Sequence, residues 1–369
     1  MDRNYKPPLA TSFAAATIAT WVLTLCRLTA LTPAIAAQVM GIPSDGQRNA
    51  VAVAIWAGGD SLLWLAHDGT GHSVALPEDI RTQALVWSDS LDTVLFGSGV
   101  VMAVNTCAEV PQLTSLGAGP QQVRSAVEVG PNLAVLVTGG RYQEGRVVDA
   151  EASLWELRPR PRRLWDGPGK QVNPICLTAG TLVGSPCVLM GVDKTAILDP
   201  TLRLRPWLYR LRENTLQPMW FGTSFSQPFI TAMLTDICPH YPDDEVCSLE
   251  LTARGERQMT VYRWHGFVME GIAQSRAADF GDQLRRVRNQ PHSDIVFAWQ
   301  GGADGRIVGL AVEHWPQHQL AELQVCCATS IIPRPLAWDV RAGDNSVEAC
   351  ILDASGTMSL LRLENNVIR

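Results

Sequence analysis

Ser346-Val-Glu-Ala-Cys-Ile-Leu-Asp353-Ala-Ser-Gly356-Thr-Met-Ser-Leu-Leu-Arg-Leu-Glu364 is the stretch on which the reading of this chain turns. An apolar run ends at Leu352. A short polar turn follows, with Gly356 where a positive φ is needed. Beyond the turn, apolar and polar residues alternate, as in a strand with one face covered. The same hairpin recurs at Asp294–Glu313 and Ala50–Ala66, and in weaker form at Thr93–Asn105, Asn132–Leu157, Pro186–Pro200 and Phe229–Thr252.

These seven hairpins start 43, 39, 54, 43, 65 and 52 residues apart. A period near 40–50 residues is that of a four-stranded propeller blade. Further short strand candidates lie between the hairpins. Gln83–Trp87, Val123–Val129, Val172–Ala179 and Pro335–Val340 precede one, and Arg162–Trp165, Arg203–Leu208 and Val261–Trp264 follow one. A blade is sandwiched between two others, so its central strands read as near-continuous apolar runs while its outer strand alternates. The expectation is an all-β, seven-bladed β-propeller occupying residues 38–369 as one domain. Six or eight blades, two tandem β-sandwiches and a larger irregular barrel are the alternatives. Ser275–Arg288 is expected as a short helix capped by Ser275, and Pro316–Val325 as helix or strand.

A family resemblance attaches to two of these hairpins. Asp353–Glu364 looks like the second hairpin of a degenerate WD40 repeat, and Ala303-Asp304-Gly305-Arg306-Ile-Val-Gly-Leu310 resembles the same element. The terminal Trp-Asp dipeptide is absent from both. Gly71-His72 and the reversed His265-Gly266 do not recur in phase, and Trp338-Asp339 stands ahead of a hairpin. The resemblance is to β-propellers broadly, covers about residues 45–369, and transfers no functional residues.

The amino terminus reads as an address. Arg3 and Lys6 precede an uncharged run from Leu9 to Cys26, and Ala34-Ile35-Ala36 fits a signal peptidase site. Residues 1–37 are therefore expected to be a signal peptide. The rival is an uncleaved membrane anchor through residues 9–26, interrupted beyond them by Arg27. The expected address is secreted or periplasmic, or else tethered to a membrane.

The whole chain carries 30 basic and 36 acidic residues, a formal charge of −6, which lacks the footprint of a general nucleic-acid binder. With 30 Gly and 23 Pro it has little room for long helices.

Nine cysteines are present, eight of them beyond the leader. Cys176 with Cys187 and Cys238 with Cys247 each bracket a turn and are candidate disulfides for an exported chain; buried thiols are the alternative. The loop Cys238-Pro-His240-Tyr-Pro-Asp243-Asp244-Glu245-Val-Cys247 is chemically dense, but its spacing matches no standard zinc or calcium pattern. His67, Asp68 and His72 crowd one turn. His314 and His318 flank Pro316, which disfavours a zinc-protease helix.

No nucleophile elbow or phosphate loop occurs. No residue is assigned a catalytic, cofactor-binding or metal role, and no motif designates a cofactor. Trp56, Trp64, Trp87, Trp155 and Trp299 fall inside strands and are expected between blades. Trp207, Trp220 and Trp315 could line a sugar- or cofactor-binding face. Arg158, Arg160, Arg162 and Arg163 form a cationic strip. The expected role is a binding or scaffold module for a protein or glycan partner. The rival is an extracytoplasmic propeller enzyme (a hydrolase, lactonase or quinoprotein) working at the central channel.

Overall fold

Short apolar runs punctuated by Gly, Pro, Asp and Ser cannot build long helices, and the computed structural model contains none among its described residues. These are residues 38–42, 50–55, 61–66, 70–76, 84–88, 92–108, 112–144, 146–287, 293–316, 319–342 and 346–365. The expected leader or anchor, residues 1–37, lies outside them. Among the described residues no helix is long and apolar enough to cross a membrane.

The strands group into seven consecutive antiparallel units, spanning 38–75, 84–118, 123–166, 174–221, 229–275, 280–328 and 337–362. Six have four strands paired in chain order, and the seventh has three among the described residues. Units five and six are joined at their outer edges by a short parallel pairing of Ala273–Ser275 with Ala321–Leu323. The first strands are Gln38–Gly41, Ala84–Ser88, Val123–Gly130, Pro174–Leu182, Phe229–Thr235, Phe280–Val287 and Ala337–Ala342. Each touches the next and the last touches the first, so the units surround an axis. This is a β-propeller.

Burial explains why no unit stands alone. The hydrophobic clusters lie between neighbouring units rather than within one. Val53 and Trp64 of the first pack with Leu85, Leu95 and Val104 of the second. Val135 and Leu154 of the third pack with Val188, Met190 and Tyr209 of the fourth. Ala52, Ala54 and Leu65 meet Ala337, Cys350 and Leu352, which seals the last unit against the first. Trp64 and Trp299 are buried in these seams, as expected of in-strand tryptophans.

Units one and seven share no sheet among the described residues. Polar contacts therefore supplement the seam: Gly41 N donates to Asp339 Oδ2 at 2.9 Å, and Arg341 donates to the Ile42 carbonyl at 3.2 Å.

Three local expectations need correction. The described part of Ser275–Arg288 contains no helix; Phe280–Val287 is the first strand of unit six, paired with Ile295–Gly301. Its Phe280 and Leu284 are buried in the seam with unit five and Val287 in the seam with unit seven, so a strand covered on both faces shows buried residues at helix-like spacing. The hairpin at Phe229–Thr252 is the first turn of unit five. The hairpin equivalent to the other copies is Glu245–Leu251 with Arg257–Trp264. Arg203–Leu208 is not a separate strand but part of the long strand Asp199–Arg212. Pro316–Val325, expected as helix or strand, contributes to the strand Ala321–Ala328.

Candidate functional site

The chain runs outward through each unit by alternating turns, so every second turn lies at the same end of the ring. At that end two neighbouring hairpins are extended. Leu133–Gln143 with Arg146–Glu156 belongs to unit three, and Ser185–Ala196 with Asp199–Arg212 to unit four. They are fastened side by side. Asn173 accepts from Ala150 N and donates to the Val147 carbonyl, while its own carbonyl accepts from Asp193 N. Arg146 lies 3.8 Å from Asp193. Together they form a lip.

The two tips differ in chemistry. At the first tip Glu144 takes a φ of 52°, as tight hairpins require. Arg124 donates to the carbonyls of Gly139 and Gly140 below it. The second tip is a two-residue loop between paired Ala196 and Asp199, and the residues in it are Ile197 and Leu198. Turns favour Gly, Asn, Asp and Pro because those residues suit the backbone. Neither Ile197 nor Leu198 takes a positive φ, and a register shift between Lys194 and Ala196 absorbs the mismatch. Both side chains stand free, Ile197 at 101% and Leu198 at 92% exposure.

This tip is braced. Arg205 is 1% exposed, and its guanidinium donates to the carbonyls of Lys194, Asp199, Thr201 and Thr223 and to the Asp199 carboxylate. Thr223 lies in the connection to unit five, so one buried cation ties the tip to the ring. Asp199 also pairs with Arg203. Along the hairpin, the Lys194 ammonium sits 4.8 Å above the Trp207 ring, and Trp207 packs 4.2 Å from Phe221. A turn with unfavourable local chemistry is thus held by tertiary contacts while it presents two aliphatic side chains to solvent.

At the opposite end the first strands enclose a cavity of about 780 Å³ on the axis. Its polar lining includes Gln38, Glu128, Arg286, Asp339 and Arg341. Several of these groups bind the ring together. Gln38 exchanges hydrogen bonds with the Leu85 backbone, and Arg286 donates to the carbonyls of Leu234 and Ala179. Desolvation raises the Asp339 carboxyl above its ordinary range, with Arg285, 3.4 Å away, and the Gly41 and Val340 amides opposing.

The acidic loop between Cys238 and Cys247 acts as a staple. Thr181 N donates to Asp244 Oδ2 at 2.6 Å, Gly184 N donates to Asp243 Oδ1 at 2.8 Å, and Asp244 N donates to the Thr181 carbonyl. The loop therefore caps the first hairpin of unit four from unit five. No group of three metal-ligating side chains converges among the described residues.

The structure contains neither expected disulfide. Cys176, Cys187, Cys238 and Cys247 are free thiols. Cys176 lies opposite Gly191 and Cys187 opposite Gly180, four register positions apart. At the strand rise that is about 13 Å, well beyond bonding range. Burial pushes the Cys238 thiol up to about 11 and the Cys247 thiol up to about 12, as for inert core sulphur.

The tryptophans proposed for an open binding face are half-buried and packed against neighbours. Trp207 is flanked by Lys194 and Phe221, Trp220 packs against Phe225 and Trp264, and Trp315 lies partly buried against the core of units five and six. In the cationic strip all four arginines are exposed, but Arg162 pairs with Glu156 and Arg163 with Asp166. His72 and His314 are exposed, while His67, Asp68, His318 and Trp56 lie outside the described residues.

Ile197, Leu198 and Arg205 carried no sequence motif. The available signal was an aliphatic pair standing where a turn residue belongs.

No protein-family model and no curated protein matches the chain. Among solved structures, a chain from a crystal structure of the mitotic checkpoint complex is similar with a TM-score of 0.52 and 12% identity, covering 88% of this chain and 90% of that one. A chain from a crystal structure of BBS1N in complex with ARL6DN has a TM-score of 0.48 and 9% identity, covering 89% and 91%. The first likeness is one of fold and agrees with the ring described above.

Proposed function

We propose that this propeller is a docking module whose lip binds a protein partner through an apolar pocket that receives Ile197 and Leu198. The observation that carries this reading is the tip itself. Two fully exposed aliphatic residues occupy a loop position that disfavours them, on a hairpin fixed by a buried arginine. Departures from local turn chemistry concentrate at functional sites. A preorganised knob loses little conformational entropy on binding, which is what a hot spot needs.

The surroundings favour protein over the alternatives. An anionic bilayer would need a cluster of free cations beside the knob, yet Arg203 is paired with Asp199 and Arg146 with Asp193, and Lys194 sits over the Trp207 ring. A glycan would need a broad open aromatic face, and the Trp207 ring is half-buried, with Lys194 over it and Phe221 packed beside it. That a propeller of similar fold occurs in a structure of the mitotic checkpoint complex supports an assembly role for such a ring.

Export belongs to this proposal and rests on the leader-like residues 1–37; the mass of the mature chain tests it. Docking is tested by comparing the proteins captured by the wild type with those captured by an Ile197→Ser/Leu198→Ser variant. Losing two buried aliphatic anchors costs about 3–5 kcal/mol, so the specific partner should vanish from the variant's set. The variant should melt with the wild type, since both side chains are already in water. Identical partner sets from the two proteins would overturn the reading.

A further inference from the structure

The outer strand of unit six, Ala321–Ala328, carries two adjacent cysteines at a β-bulge. Gly309 faces Cys327 and Leu310 faces Val325, so Cys326 is the extra residue. In an unbroken strand, neighbouring side chains point to opposite faces. The bulge breaks that alternation, and the sulphurs of Cys326 and Cys327 lie 3.9 Å apart. Cys327 is 2% exposed, and Cys326 is partly buried with its thiol 3.4 Å from the Gly309 carbonyl.

The site is shaped around sulphur. A Cβ on Gly309 would stand 2.5 Å from Cys327 Sγ and 2.6 Å from the Phe297 ring, so only glycine leaves room for the thiol.

We propose that Cys326 and Cys327 form a redox-active vicinal dithiol that closes reversibly to a disulfide. Cys326 is the attacking group because it is the more accessible of the two. Contact with the Cys327 thiol holds Cys326 below its ordinary range; the same contact, followed by burial, pushes Cys327 up.

The oxidant is a low-molecular-weight disulfide such as glutathione disulfide. The Cys326 thiolate attacks one of its sulphurs, the glutathione S–S bond breaks, and the departing thiolate takes up the proton that Cys326 released. Cys327 then loses its proton and attacks Cys326 Sγ, displacing the second glutathione as a thiolate that takes up that proton. Two protein thiols are oxidised by two electrons, and one disulfide is reduced to two thiols.

The sulphurs must close from 3.9 Å to about 2 Å. Adjacent Cα atoms are about 3.8 Å apart, shorter than in ordinary disulfides, so the ring is strained and easily reopened. That geometry suits a switch better than a permanent link. The backbone of Cys327 is paired on its other side with Asn365, so the terminal strand Glu364–Asn365 lies directly against the site.

The test uses the full-length, reduced protein equilibrated with glutathione disulfide, quenched by alkylation and read by peptide mass. In the native protein the peptide carrying both cysteines should become two hydrogens lighter and retain no glutathione. Native chain should yield roughly tenfold more ring-closed peptide than urea-unfolded chain, because the bulge presets the two side chains toward each other while the unfolded chain samples that arrangement only part of the time. Cys327→Ser should stop at the Cys326–glutathione mixed disulfide. Phenylarsine oxide, which bridges paired thiols, should protect both cysteines of the native protein from alkylation. Equal ring closure in native and unfolded chains, or a native wild type that stops at the mixed disulfide, would overturn the proposal.

Discussion

Glu245 couples the stability of unit five to pH. It is 1% exposed; its Oε2 accepts from the amides of Ile237 and Cys238 at 3.1 Å each, and its Oε1 has no hydrogen-bond partner. Burial pushes its carboxyl up to about 8 from an ordinary 4.5, with Asp236 and Asp244 adding to the rise and the two amides opposing it. The folded state therefore holds a proton that the unfolded chain releases near pH 4.5. Stability from this group is complete below that pH, falls as pH rises from 4.5 to 8, and is level beyond. Every tenfold gain in proton affinity on folding corresponds to about 1.4 kcal/mol, so the whole span is at most about 5 kcal/mol. Glu245→Gln keeps a carbonyl oxygen for the Ile237 and Cys238 amides and cannot ionise. Urea unfolding followed by tryptophan fluorescence from about pH 5 to 9 should show the variant gaining on the wild type by several kcal/mol, almost all of it below about pH 8. Using the difference between the two proteins cancels Glu250 and Asp339, whose carboxyls are also raised by desolvation. A difference that stays level within about 0.5 kcal/mol across that range would refute the buried, protonated carboxyl.

Replacing Arg205 with Met strands four carbonyls at the lip and should cost about 3–5 kcal/mol, read as a lower melting temperature and faster hydrogen exchange across 194–201. Asp339→Ala removes the acceptor of Gly41 N and the partner of Arg285 at the seam between the first and last units; a loss of about 1–3 kcal/mol is expected, with exchange rising first in Gln38–Gly41. Asp244→Ala removes one bond of the staple between units four and five and should cost about 1 kcal/mol in a thermal melt.

Much of the ring was legible in sequence because its causes are local. The apolar run, glycine turn and alternating strand at Ser346–Glu364 describe a covered hairpin whatever surrounds it, and so do the copies at Ala50–Ala66 and Asp294–Glu313. Their spacing implied stacking, since a lone sheet with two apolar faces has nowhere to bury them. Ser275 reads as the cap of a helix in sequence, whereas Phe280–Val287 pairs as a strand buried on both faces, which only the neighbouring units reveal. The Cys238–Cys247 loop looks like a ligand set because sequence shows carboxylates and thiols but not the amides of Thr181 and Gly184 that two of those carboxylates accept from.

By itself, then, the sequence determined the strand-rich composition, the repeated hairpin and the acidic charge balance, which all follow from side chains and short-range backbone preference. Tertiary structure decided where those strands end up and which side chains become special. Arg205 becomes a brace only when carbonyls from Lys194, Asp199, Thr201 and Thr223 converge on it. Ile197 and Leu198 become a knob only because the hairpin beneath them is held out from the ring. Convergence of that kind depends on how the strands of unit four and its exit connection fold back on one another, which the order of residues along the chain does not display.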